Sequence, residues 1–132
     1  MVPHKHREGA GFFIISPALD RVLVLDAGEY LDVPKGCRER NETALQTALR
    51  ETWEEAGISI LESDMLTQEN FQVGNLFMFL AMSSKKPVIK QNPYTGVREH
   101  ISGMYVPWRT LEENCEEFLL PAIAWAKEKS LG

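Results

Sequence analysis

The sequence predicts an α/β fold, because strand-like segments lie before and after an amphipathic helix and a second helix closes the chain. Runs rich in aliphatic, β-branched and aromatic residues predict strands at 9–15, 21–26, 71–82 and 99–107, with the first two forming a hairpin. Helical spacing of apolar residues predicts helices at 44–56 and 110–129. Pro121 lies inside the second helix and predicts a kink there.

Signals at both ends define the first helix. Thr43 is followed three residues later by Gln46, a capping-box spacing that makes Thr43 the predicted N-cap. Gly57 is placed to end the helix after Ala56. The face expected to pack on a sheet consists of Ala44, Leu45, Ala48, Leu49, Thr52 and Ala56.

Three glutamates crowd the same helix. Glu51 and Glu55 are four residues apart at one edge of the apolar face, and Glu54 lies further round. Carboxylates this close repel one another, so a cation is expected to offset them. Oxygen ligands of this kind suit Mg²⁺ or Mn²⁺, and Arg50 is placed to fix a carboxylate rotamer. Taken alone, the spacing also fits a solvated helix face with ordinary ion pairs.

Residues 36–58 give a more specific indication than the three glutamates alone. They follow the pattern G-x5-E-x7-R-E-U-x-E-E-x-G-U, where U is aliphatic. Eight of the nine specified positions match: Gly36, Glu42, Arg50, Glu51, Glu54, Glu55, Gly57 and Ile58. Thr52 occupies the remaining aliphatic position. The segment resembles the Nudix hydrolase signature, and its run 48–58 resembles the diadenosine tetraphosphatase branch of that family.

The resemblance implies a fold and a set of roles. It implies a single Nudix hydrolase domain over residues 1–132, folded as an α/β/α sandwich with a mixed β-sheet between helices. It places Mg²⁺ or Mn²⁺ on Glu51, Glu54, Glu55 and the Gly36 carbonyl. The other implied roles are orientation of Glu51 by Arg50, bracing of the loop by Glu42 and contact with phosphate by Lys35.

Residues outside the signature are expected to complete the site. The general base is Glu51, Glu55 or the later Glu99, and the neighbouring His100 is either a substrate contact or a structural residue. Arg7 lies next to the first strand, within expected reach of phosphate. Base stacking is assigned to the aromatic residues Tyr30, Phe71, Tyr94 or Tyr105.

A polar, turn-rich segment at 83–96 carries Lys85, Lys86 and Lys90. Its length and composition fit a lid or a substrate-binding loop, and equally a mobile surface loop. If the segment binds substrate, its lysines favour a phosphate-rich ligand.

The resemblance implies a metal-dependent pyrophosphohydrolase acting on a small nucleotide, with a dinucleoside polyphosphate such as diadenosine tetraphosphate as the first expectation. The marker tryptophan of that branch is missing before Pro34, where Leu31 and Asp32 stand. Its downstream tyrosine is missing near Gly74. The alternatives are therefore a nucleoside triphosphate hydrolase, an inositol pyrophosphate hydrolase and a non-catalytic nucleotide-binding module.

Composition limits the classes of protein and the cellular compartments that the sequence fits. The chain of 132 residues is expected to form one domain with one core. Its net charge of −5 argues against a general nucleic-acid binder. Cys37 and Cys115 are expected to be free thiols, which fits a cytoplasmic protein. No apolar run reaches the roughly 18 residues of a membrane span.

Overall fold

The computed structural model describes residues 7–90 and 100–131. Within these residues, seven strands form one mixed sheet. The strands are β1 (Gly9–Ile15), β2 (Arg21–Asp26), β3 (Leu31–Asp32), β4 (Lys35–Cys37), β5 (Phe71–Val73), β6 (Leu76–Met82) and β7 (Ser102–Pro107). The helices are α1 (Ala44–Ala56), α2 (Trp108–Asn114) and α3 (Leu120–Leu131), with 3-10 turns at Glu62–Asp64 and Glu117–Leu119.

Strand β1 organises the sheet. It pairs in parallel with β6 along its whole length, from Gly9↔Leu76 to Ile15↔Met82. At its start it also pairs antiparallel with β4, and β6 pairs antiparallel with β5. Strand β2 pairs antiparallel with β7 and β3. The predicted hairpin of β1 and β2 is reduced to one register pair, Ile15↔Val22, because each strand has a longer partner elsewhere.

Two apolar clusters cover opposite faces of the sheet. Along β1, Phe12 and Ile14 belong to the cluster under α1, while Phe13 and Ile15 belong to the cluster with α2 and α3. This alternation follows from the two-residue period of a strand. The chain is therefore a helix–sheet–helix sandwich, which confirms the predicted fold class. Within the described ranges, no helix combines the length and apolar character needed to cross a bilayer.

Helix α1 begins and ends where its caps predict. The Thr43 hydroxyl accepts a hydrogen bond from the Gln46 amide at 3.1 Å, and the Gln46 side chain accepts one from the Thr43 amide at 2.9 Å. Gly57 ends the helix with a φ of 67°, in the left-handed region that favours glycine. These local interactions involve neighbours in sequence, so the sequence alone contains them.

The predicted buried face of α1 is partly wrong. Thr47, Ala48, Thr52 and Ala56 are buried, but Leu45 is 36% exposed. Thr47 is buried although the prediction left it out, and its hydroxyl donates to Glu42 Oε1 at 2.9 Å, which satisfies the buried oxygen.

Two longer elements predicted from continuous apolar or helical patterns are also wrong. The predicted strand 71–82 is two strands, because Gly74 adopts a φ of 59° and Val73 pairs with Leu76 across the turn. The predicted helix 110–129 is α2, a 3-10 turn and α3. Pro121 is the second residue of α3 and does not kink it, since the first turn of a helix requires no amide donor there.

Thr52, the signature position where this chain departs from an aliphatic residue, predicts a measurable stability effect. Its hydroxyl is buried and has no hydrogen-bond partner among the residues that the structure describes. We expect Thr52→Val to raise the free energy of unfolding by about 1 kcal/mol, because it replaces an unsatisfied polar atom with a methyl group of similar shape.

The matched control is Thr47→Val on the same helix. Thr47 is equally buried, but its hydroxyl is hydrogen-bonded to Glu42, so this variant is expected to lose about 1 kcal/mol. Urea unfolding of both variants gives the two values. A Thr52→Val protein less stable than the parent would contradict the prediction.

Candidate active site

Arg50 is the centre of the carboxylate network on α1. Its Nε donates to Glu42 Oε2 at 2.7 Å, and its Nη2 donates to Glu42 Oε1 at 3.1 Å. Its Nη1 bridges Glu51 at 3.0 Å and Glu54 at 3.1 Å. Nη2 also donates to the Cys37 carbonyl at 2.9 Å. One guanidinium therefore joins the loop before α1 to the acidic edge of the helix.

The charges of this network reinforce one another. Hydrogen bonds from Arg50 lower the pKa of Glu42 to about 2, and the Glu42 hydrogen bonds raise the pKa of Arg50. Glu42 also accepts hydrogen bonds from the Glu39 amide and the Thr47 hydroxyl, both at 2.9 Å. The predicted bracing role of Glu42 thus corresponds to an observed set of contacts.

Two glycines allow the backbone to approach this edge closely. A methyl group at Gly36 would overlap the carboxylate of Glu51, so any larger residue there would displace that side chain. A Cβ at Gly9 would lie 2.9 Å from the Gly36 carbonyl oxygen, which also leaves that oxygen space. The acidic helix edge and the backbone of β4 therefore meet without an intervening side chain.

Glu55 lies at the other end of the acidic edge and is largely buried. Its Oε1 accepts a hydrogen bond from the Lys35 amide at 3.1 Å. Burial and the charge of Glu51 raise the pKa of Glu55 to about 9, against the opposing effect of that hydrogen bond. The carboxyl group is therefore neutral at pH 7 without a cation beside it.

Asp32 was not predicted as a site residue, yet it holds Lys35 in place. Asp32 is buried, and its Oδ2 lies 3.2 Å from Lys35 Nζ and 4.0 Å from His100 Nε2. Burial opposes a charge on Lys35, but the charge and hydrogen bond of Asp32 outweigh it and raise the lysine pKa. The feature of the sequence that could have indicated this role is an acidic residue, Asp32, between the apolar residues Leu31 and Val33.

A cleft of about 450 Å³ lies next to β4 and the turn between β5 and β6. Its lining combines two cationic side chains with small and apolar residues: Arg7, Gly9, Lys35, Gly36, Cys37, Val73, Gly74, Asn75, Leu76 and Phe118. Arg7 Nη2 donates to the Arg38 carbonyl at 2.9 Å, which holds the guanidinium at this border. Two cationic side chains therefore border this cleft next to β4, the strand against which Glu51 and Glu55 lie.

The chain matches the NUDIX domain family over residues 5–129, which is most of its length. The chain belongs to the Nudix family. This confirms the family prediction and, at the level of the family, the prediction of a hydrolase. The comparison with curated protein sequences gives no match.

Solved structures of Nudix-fold proteins resemble the chain along nearly its whole length. A MutT described for Aliivibrio salmonicida and Vibrio cholerae is 20% identical, with a TM-score of 0.66 and coverage of 94% of this chain and 98% of that one. The Caenorhabditis elegans Ap4A hydrolase is 17% identical, with a TM-score of 0.67 and the same two coverages. The Escherichia coli dihydroneopterin triphosphate pyrophosphohydrolase is 16% identical, with a TM-score of 0.65 and coverage of 92% and 90%. These likenesses show the fold.

Not all predicted site residues of this Nudix domain lie together. Arg7, Lys35 and Gly36 line the cleft, and Glu51 and Glu55 contact or face its β4 wall. Tyr105 lies elsewhere: it packs in the cluster under α1, and its hydroxyl donates to the Lys85 carbonyl at 2.8 Å. Tyr94 and Glu99 fall outside the described residues.

The proposed ligands of a divalent cation have suitable oxygen atoms, but their side chains are not gathered around one common position. Among the described residues, no three His, Cys, Asp or Glu side chains are close enough together to hold a metal ion. Glu51 and Glu54 are turned to Arg50, and Glu55 is turned to the Lys35 amide. The contact between Gly36 and Glu51 still fits a cation site, because it brings a carboxylate against backbone that no side chain covers. Both groups supply the oxygen donors that Mg²⁺ and Mn²⁺ prefer.

Arg50 predicts a large stability effect. We expect Arg50→Ala to reduce the free energy of unfolding by about 3 kcal/mol, because it leaves the shielded carboxylates of Glu42 and Glu51 without their cation. The matched control is Arg109→Ala, which removes an exposed pair with Glu113 on α2 and is expected to leave stability unchanged. Urea unfolding measures both, and equal effects of the two variants would contradict a special role for Arg50.

Glu55 predicts a pH dependence of the cation-free protein. Its pKa is raised from 4.5 to about 9 on folding, so the native state binds an extra proton between these values. The stabilising contribution is complete below pH 4.5 and is lost as the pH rises through about 9.

Urea unfolding in EDTA should therefore show the parent protein losing stability from pH 5 to pH 8 relative to Glu55→Gln, which cannot titrate. Superimposable pH profiles of the two proteins would show that Glu55 has no raised pKa.

Proposed function

We propose that this Nudix protein is a divalent-cation-dependent pyrophosphohydrolase that cleaves a phosphoanhydride bond of a small nucleotide. The observation that carries the proposal is the meeting of two opposite charge arrangements at β4. The glutamates of α1 lie on one side of this strand, and the Arg7 and Lys35 side chains line the cleft on the other. Gly36 belongs to both arrangements, since it lines the cleft and its backbone meets the Glu51 carboxylate, so a substrate held by the cations would reach the proposed metal ligands past Gly36.

The proposed ligands of Mg²⁺ or Mn²⁺ are Glu51, Glu54, Glu55 and the Gly36 carbonyl. A bound cation of this kind neutralises phosphate oxygens and lowers the pKa of coordinated water. Arg50 restrains Glu51 and Glu54 through its bonds to both, so it acts as a positioning residue. Glu51, Glu55 and Glu99 remain the candidates for the general base.

Lys35 has a defined part in binding phosphate. Its ammonium group is kept charged and positioned by Asp32, and its own backbone amide holds Glu55. A shift of β4 therefore moves a phosphate-binding cation and a proposed metal ligand together. This coupling supports placement of the reacting phosphate between the cleft and α1.

Dinucleoside polyphosphates such as diadenosine tetraphosphate are the first substrates to test. Two of the structural relatives support a polyphosphate, since one is an Ap4A hydrolase and another a dihydroneopterin triphosphate pyrophosphohydrolase. Inositol pyrophosphates receive less support. The lysines expected to recognise them, Lys85, Lys86 and Lys90, do not line the cleft, and Lys90 lies over the Trp53 ring at 3.6 Å.

A substrate panel with Mg²⁺ or Mn²⁺ tests the proposal. The panel contains diadenosine tetraphosphate, nucleoside triphosphates and an inositol pyrophosphate, with product identity as the readout. We expect hydrolysis of at least one nucleotide that stops in EDTA. Tight binding of nucleotides without any hydrolysis would instead support the non-catalytic binding module.

Within that assay, Glu55→Gln should reduce kcat at least about 100-fold. The fold should persist, because glutamine resembles the neutral carboxyl group that the cation-free structure favours. The control is Glu113→Gln on the exposed side of α2, which should retain full activity. Near-normal activity of Glu55→Gln would remove Glu55 from the proposed metal site.

A further inference from the structure

Phe118 is the aromatic residue that lines the cleft in the described part of the chain. Its side chain is 45% exposed, whereas the next residue, Leu119, is 1% exposed. Both belong to the 3-10 turn Glu117–Leu119 that joins α2 to α3. Leu119 anchors the turn in the core, so the Phe118 ring is held at the rim of the cleft with much of its surface accessible.

The ring lies beside the cations proposed to bind phosphate. Lys35 Nζ is 6.0 Å from the centroid of the Phe118 ring, at the outer limit of a cation–π contact. The attraction between them is therefore weak, and the distance chiefly shows that the ring and the phosphate-binding cation share one cleft. A nucleotide presents the same pair of features, a planar base joined by a short linker to phosphates.

The other described aromatic residues considered for stacking are engaged elsewhere. Phe71 stacks on Trp125, with ring centroids 5.9 Å apart. The Tyr105 hydroxyl is bonded to the Lys85 carbonyl. Tyr30 is close enough to Lys35 and Glu116 for their charges to act on the pKa of its hydroxyl, but it borders a separate surface pocket with Asp26 and Glu29. None of these three lines the cleft that contains Lys35.

We propose that Phe118 is the platform on which the base of a nucleotide stacks while Arg7 and Lys35 face its phosphates. The inference rests on the proposed function and deepens it by assigning base recognition to one residue. Stacking on an aromatic face tolerates every base. Phe118 therefore selects nucleotides over base-free polyphosphates, not one base over another.

The test separates base binding from phosphate binding. Isothermal titration in Mg²⁺ measures the Kd of pyrophosphate and of the four diphosphates of adenosine, guanosine, cytidine and uridine. In the parent protein the tightest nucleoside diphosphate should bind about tenfold or more tightly than pyrophosphate. Phe118→Leu keeps an apolar side chain but removes the aromatic face, and it should abolish most of that difference while leaving the pyrophosphate Kd unchanged.

Two further variants control for structural damage. Phe118→Trp keeps an aromatic face and should retain the preference for nucleotides. Leu120→Ala changes a neighbouring exposed side chain that does not line the cleft, and it should bind both ligands like the parent. Thermal unfolding of each variant checks that its fold is intact.

Three results would overturn the platform. They are a parent protein that binds no nucleoside diphosphate more tightly than pyrophosphate, a Phe118→Leu variant that keeps the preference, and one that weakens both ligands equally. The proposed hydrolase activity is tested separately, by the substrate panel. A protein that prefers nucleotides through Phe118 but cleaves none of them retains the platform and loses the proposed activity.

Discussion

The site depends on the contact between one guanidinium group and the carboxylates around it. Arg50 bonds Glu42 in the loop and Glu51 and Glu54 on α1, and it also bonds the Cys37 carbonyl at the end of β4. Without this cation, α1 would carry like charges at close spacing. The same contact fixes the position of β4, which forms one wall of the cleft.

This arrangement leaves Glu51 and Glu55 in different electrostatic environments. Glu51 is ion-paired with Arg50, whereas burial and the neighbouring charge of Glu51 hold the pKa of Glu55 at about 9. A divalent cation held by Glu55, as proposed, would have to displace its proton, so cation binding and deprotonation would be coupled. The cation-free fold thereby holds a proposed ligand in a neutral form that a buried position tolerates.

The cleft divides its tasks between distant parts of the chain. Arg7 precedes β1, and Lys35 belongs to β4. The turn at Gly74 lines one side of the cleft, and Phe118 lies in the turn between α2 and α3. The proposed catalysis depends on Arg7 and Lys35, and the proposed recognition of a base depends on Phe118. Changes at Phe118 are therefore expected to alter substrate choice while leaving the carboxylates of α1 unchanged.

The outcome of the sequence predictions follows the range of the interactions involved. The extent of α1 was predicted correctly, because the Thr43–Gln46 capping box and the left-handed Gly57 are interactions between near neighbours. The signature positions indicated the family for the same reason, since one helix and its preceding loop bring them together.

The sequence by itself thus determined the helix that carries the glutamates, the α/β class and the family. The tertiary structure decided what depends on distant neighbours: the burial of Thr47 instead of Leu45, the pairing of Asp32 with Lys35, and the position of Phe118 in the cleft. Phe118 lies inside the predicted helix 110–129, but the structure places it in a 3-10 turn, where Leu119 packs in the core and Phe118 remains exposed. Contacts between residues far apart in sequence set that orientation, and no local period records them.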